Sequence, residues 1–153
     1  MAIDETQLDR IESIAIDLLL SGDHPVLAVL RLQRKVAAVS ARNYTGVGFF
    51  TKFAVPGDAP RLDGVHRLVL SDVHGEIDEV AHGVGFVLFI KNGVIDVLEC
   101  FTYDGSYPQH PMLVRAYYVG PKSRAGSLIM LSEVPARDLE FAFTGNKSVP
   151  SIH

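Results

Sequence analysis

The chain's most chemically suggestive residue is Glu99, a carboxylate set in the apolar run VIDVLECFTY from Val94 to Tyr103. Residues two apart on a strand share a face, so Ile95, Val97, Glu99 and Phe101 are expected to point the same way. A carboxylate on so apolar a face is either paired, for instance with Arg42 or Arg115, or raised in pKa as its charged form loses water. The first case is a structural ion pair and is the simpler expectation. The second is a pocket carboxylate of the kind that gathers at functional sites. Just beyond it, Tyr103, Asp104, Tyr107 and His110 are groups suited to gripping a polar ligand at a strand end. Glu99, Tyr103, Asp104 and Tyr107 are therefore the candidate ligand-binding residues, although turns use Asp-Gly for geometry and Tyr to cover a sheet edge.

A second constellation is Asp72, His74 and Glu76, spaced by two and so expected on one strand face, with His82 as a fourth possible metal ligand. The solvent face of an antiparallel strand has the same pattern, and no metal is expected. Other chemistry is thinner. Gly83-Val-Gly85-Phe lacks the third glycine and following helix of a dinucleotide loop, and no phosphate-binding loop, nucleophile elbow or His-Glu-x-x-His occurs. Cys100 lies mid-strand, where a thiol behaves as a small hydrophobe. No catalytic residue and no cofactor is assigned.

The elements that must position these groups centre on Val84 to Tyr103. Asn92-Gly93 is the strongest short-range hairpin signal, because both residues tolerate the positive φ of a tight turn. Its arms are rich in Val, Ile, Phe and Leu, which predicts two central strands covered on both faces. Upstream, Thr6 to Asp9 has the form of a helix start, and apolar residues at helical spacing predict a helix from about Asp4 to Leu20. Ser21-Gly22 stops it, and Asp23 with Pro25 starts a second helix whose last turn carries Arg31, Arg34 and Lys35. Strands are expected over Val36 to Tyr44, Val47 to Val55, His66 to Asp78, Leu113 to Val119 and Ser127 to Val134. Leu139 to Phe143 reads as a strand or as a short helix begun after Pro135. Pro56 to Pro60 and Asp104 to Pro111 have loop composition.

At 153 residues the chain suits one domain with a proper core. The expectation is an α+β fold, two N-terminal helices packed on a mainly antiparallel sheet of about six to seven strands, spanning 1–145, with 146–153 a flexible tail. Fourteen basic against eighteen acidic residues, a net charge of −4, argue against sequence-independent nucleic-acid binding. A lone cysteine fits a reducing compartment, and the acidic N-terminus is unlike a signal peptide, so the cytoplasm is expected and no membrane association.

The string Gly83-Val-Gly-Phe-Val-Leu-Phe-Ile-Lys-Asn-Gly93, with Leu98-Glu99, Thr102-Tyr103 and the upstream Tyr44-Thr-Gly-Val-Gly-Phe-Phe50, resembles a group of small uncharacterised bacterial α+β proteins. Tyr107-Pro108 stands where that group has a Trp-Pro or similar pair. The resemblance implies no reaction and no cofactor. By analogy of fold, small acidic bacterial proteins of this size include immunity and accessory proteins that bind a partner. The leading expectation is thus a non-catalytic protein that binds another macromolecule, with a homo-oligomer possible. The alternative is a small-molecule binding protein or minor enzyme with a pocket around Glu99.

Overall fold

The computed structural model describes residues 5–125 and 128–144. The expected 146–153 tail lies outside them. Helix α1 (Arg10–Leu19) starts later than the sequence pattern predicts, because Asp9 and Glu12 form a reciprocal capping box, Asp9 Oδ1 accepting from the Glu12 N–H and Glu12 Oε1 from the Asp9 N–H. Thr6, the expected cap, instead offers its carbonyl to Val39 N–H. Helix α2 (Pro25–Val36) begins with Pro25 in its first turn, and the His24 ring accepts from Val26 N–H at its cap. Two of the three cations expected in its last turn are held by the fold. Arg31 donates to the carbonyls of Leu20 and Gly22, and Arg34 pairs with Asp17.

Seven strands follow: β1 (Ala38–Tyr44), β2 (Gly48–Ala54), β3 (Arg67–Ile77), β4 (Val84–Lys91), β5 (Val94–Thr102), β6 (Leu113–Ala125) and β7 (Leu128–Glu133). Every pairing is antiparallel and the order is β1-β2-β5-β4-β3-β6-β7. The fold is α+β with helices on a mainly antiparallel sheet, as the sequence predicts. The β4–β5 hairpin is central, and Asn92 and Gly93 hold φ of 53° and 79° in a two-residue turn between Lys91 and Val94. Leu139 onward is helical: α3 (Leu139–Thr144), begun by Asp138 accepting from the Phe141 N–H. Among the described residues no helix is long and apolar enough to cross a membrane.

All three helices lie on one face of the sheet. There they bury Phe86, Leu88, Ile90, Ile95, Leu98 and Leu70 against Ile16, Leu19, Leu27 and Leu30. Phe143 of α3 stacks on His24 at the same side, 4.2 Å between rings. Polar groups buried in this layer are fully engaged. Gln33 donates to the carbonyls of Pro60 and Gly93 and accepts from Ile95 N–H, tying α2 to the hairpin.

Two bulges decide which side chains reach the other face. In β5, Phe89 pairs with Val97 but Ile90 with Ile95, so Asp96 is an extra residue. Ile95 consequently turns to the helix face with Leu98 and Cys100, and the expected four-residue stripe is corrected to Val97, Glu99 and Phe101. In β3, Leu70 pairs with Leu88 but Val73 with Phe86, which inserts one residue near Asp72. Asp72 is thereby turned under the helices, while His74 and Glu76 stay on the second face.

Candidate functional site

The second face carries no helix among the described residues, and the strand register lays its side chains in rows. One row runs Gly48, Phe101, Gly85, His74, Tyr117 across β2, β5, β4, β3 and β6. The next holds Phe50, Glu99 and Val87, and a third Lys52, Val97, Phe89 and Val69. Phe101 leans over Gly85: a Cβ there would lie 2.6 Å from the Phe101 ring and 2.7 Å from the Tyr103 hydroxyl. The two glycines flanking Phe101 in its row have separate steric reasons: a side chain at Gly85 would displace both rings, and a Cβ at Gly48 would collide with the Cys100 carbonyl oxygen of β5.

Tyr103 projects past the end of β5 onto this face. Its hydroxyl lies 2.7 Å from Nε2 of His74, and its ring meets Phe101 edge-on at 5.2 Å. Burial lowers the pKa of His74 to about 4 and raises that of Tyr103. The imidazole is therefore neutral and the phenol protonated at neutral pH, and the two share one hydrogen bond whose direction follows the imidazole tautomer. Tyr117 closes the cluster, its ring 6.2 Å from His74 and covered by the Arg115 guanidinium at 4.4 Å. Arg115 reaches across that ring to bond both oxygens of Glu133 and also lies 3.6 Å from Glu76.

Glu99 sits one row away, half-buried, with its Oε1 withdrawn from solvent. Neither arginine expected beside it is its partner. Arg42 lies on the helix face, where it makes paired bonds to Glu12 at 2.7 and 2.9 Å, and Arg115 is held by Glu133 and Glu76. The other expected ligand groups separate. Tyr107 wraps to the helix face, edge-on to Phe49 at 5.8 Å and beside the Cys100 thiol, whose pKa burial raises. Asp104 is exposed in the loop and faces His82 at 3.6 Å, and His110 is exposed. Of the four candidates, Glu99 and Tyr103 share a face, and Asp104 and Tyr107 leave it.

The metal constellation also divides. Asp72 makes a buried, bidentate pair with Arg137 at 2.8 and 2.9 Å, and Arg137 donates onward to the carbonyls of Leu18, Leu19 and Ser21 at the end of α1. Among the described residues no three His, Cys, Asp or Glu side chains are placed to hold one ion. A shallow hollow of about 500 Å³ lies at the β3–β4 turn, lined by Glu76, Asp78, Glu79, His82, Val114 and Tyr117 among others, and Glu99 does not line it.

The pairing of His74 with Tyr103 and the place of Tyr117 were not read from the sequence. Their signal is Gly85, whose missing Cβ leaves room for the Phe101 ring and the Tyr103 hydroxyl. No protein-family model matches the chain, and no curated protein or solved structure shows significant similarity to it.

Proposed function

We propose that this is a cytosolic bacterial protein that works without catalysis, by binding another protein through the second face of its sheet. The observation that carries the reading is the Phe101–Gly85–His74–Tyr117 row with Tyr103 at its edge, a flat aromatic surface with a few polar tips. Aromatic groups with one polar end contribute strongly at protein interfaces because they bury much area for little lost rotamer freedom. A small-molecule site calls for an enclosing cavity around its polar groups, and the hollow at the β3–β4 turn is shallow and lies away from Glu99. The cytosolic setting is supported by the chain's single cysteine, a buried thiol in β5.

The test is affinity capture from the source cell with wild type and Tyr103→Asp, whose side chain is exposed enough to change without unfolding the protein. A protein retained by the wild type and lost by the variant, at equal melting temperature, supports the reading. A metabolite that raises the melting temperature of wild type but not of Glu99→Gln would replace it with the small-molecule alternative.

A further inference from the structure

We propose that the partner is a protein presenting apolar residues flanked by lysine or arginine, and that it docks on the acidic rim where the second face ends. The inference rests on the protein-binding reading and names the partner's chemistry. Its basis is where the chain leaves large apolar side chains in water. Of the eight exposed among the described residues, Leu32 and Val36 lie on α2 and Leu131 on β7. The other five, Tyr44, Val47, Tyr103, Met112 and Val114, all lie at the end of the sheet opposite Asn92-Gly93. Backbone bonds tie the loops there into one rim: Thr102 N–H donates to the Val47 carbonyl, Tyr103 N–H to that of Gly83 and Asp78 N–H to that of Met112. An apolar patch bordered by polar groups marks an interaction surface.

The polar border of this rim is acidic. Among the described residues Asp78 and Glu79 make no ion pair, Asp104 faces His82 alone, and Glu76 shares Arg115 with Glu133. Arg10, at the same end, is engaged with the Leu113 carbonyl. Glu76, Asp78 and Glu79 line the hollow at the β3–β4 turn together with Val114, and among the described residues no lysine or arginine lines it. A long basic side chain suits that lining, its methylene stem against Val114 and its head among the three carboxylates. The same charge repels phosphate backbones and anionic lipid headgroups, which leaves a basic protein surface as the complementary occupant. The opposite end is mixed instead, with Arg61, Arg67 and Lys91 exposed alongside Asp58 and Asp63.

The test is an NMR titration of the isotope-labelled full chain with a synthetic amphipathic peptide, leucine along one side and lysine along the other. A control peptide carries glutamate at every lysine position. The lysine peptide should shift amide resonances of residues 44–47, 78–83, 103–104 and 112–114, and the glutamate peptide should leave them in place. Asp78→Lys with Glu79→Lys should weaken binding of the lysine peptide at least about tenfold. Asp58→Lys with Asp63→Lys makes the same change in net charge at the other end and should weaken it by less than about twofold, since distant exposed charges are screened. All four residues are exposed, so the fold should tolerate both pairs of changes, with circular dichroism as the check. Equal weakening by the two pairs would reduce the effect to overall charge and overturn the rim as the site. A lysine peptide that shifts nothing, or shifts amides elsewhere, overturns it too. Binding to phosphatidylcholine vesicles that Val114→Asp abolishes would assign the apolar rim to a membrane and overturn the protein partner. If the peptide fails while Tyr103→Asp still loses its captured protein, the basic chemistry falls and the protein-binding reading stands; if Tyr103→Asp loses nothing, that reading falls with it.

Discussion

The two faces of the sheet treat polar groups in opposite ways. Under the helices every prominent buried charge is answered by several bonds. Glu12, 1% exposed, accepts from Arg42, from the Thr51 hydroxyl and from Asp9 N–H. Burial pushes its pKa up, the bonds from Arg42, Thr51 and Asp9 outweigh that, and the carboxyl ends below its ordinary range. On the second face His74 is desolvated with one phenol for company, and Arg115 lies over a ring between two carboxylates. The lesson is that a polar residue beneath the helices is a fastener. On the second face, polar residues define a surface.

The comparison is broken hardest at Asp72. Asp72→Ala should cost about 3–5 kcal/mol, because it leaves the Arg137 guanidinium buried without its carboxylate and loosens the cation that caps α1. Urea denaturation measures it; a loss below about 1 kcal/mol would mean that Arg137 finds water and that the helix face is less closed than its geometry implies. Next comes Gly93→Val, at about 2 kcal/mol or more. Positive φ resists a β-branched residue, and a Cβ at Gly93 would also collide with the Leu62 carbonyl oxygen. An unchanged denaturation midpoint would count against the turn as the register-setting element.

The hairpin was legible because its turn chemistry is local: Asn-Gly needs nothing from the rest of the chain. Both N-terminal helices were legible from periodicity, with the start of the first misplaced where a stronger cap at Asp9 prevailed over Thr6. The bulges were not legible. Val94 to Cys100 has apolar residues on both faces, so hydrophobic alternation does not reveal one inserted residue, and a plain period of two places Ile95 on the wrong side. The same blindness grouped Asp72 with His74 and Glu76, although the fold sends Asp72 to Arg137. Tyr103 reads as a candidate from its place at the strand end, whereas His74 alternates with Asp72 and Glu76 like a metal ligand, and only the β3–β4–β5 register brings the two rings together.

The second face is sharpened by pH. His74 has its folded pKa lowered by burial to about 4 from an ordinary 6.5, so the unfolded chain binds the extra proton more readily. The stabilising contribution is fully present above about pH 6.5 and is lost as pH falls toward 4. Allowing for solvent at a half-buried ring, the loss should be about 1–2 kcal/mol. Because carboxylates titrate in part of that window, the quantity to measure is the difference between wild type and His74→Gln. A constant difference from pH 7 to pH 4 would show that the ring is solvated in the folded protein.

The smallest effect separates burial from hydrogen bonding as the reason for that neutral imidazole. Tyr103→Phe keeps the ring that packs on Phe101 and over Gly85 and removes only the hydroxyl facing Nε2. The lost bond sits at a partly exposed position where water can replace the hydroxyl, so stability should fall by about 1 kcal/mol or less. The depression of the His74 pKa has burial as its cause, and Phe covers the imidazole much as Tyr does. An NMR titration of the variant should therefore still find His74 near 4. A return to the ordinary value would assign the neutral state to Tyr103 donation. The pair would then be a specific hydrogen-bonded unit able to respond to whatever displaces the phenol, and the second face would resemble the helix face in holding its polar groups by bonds.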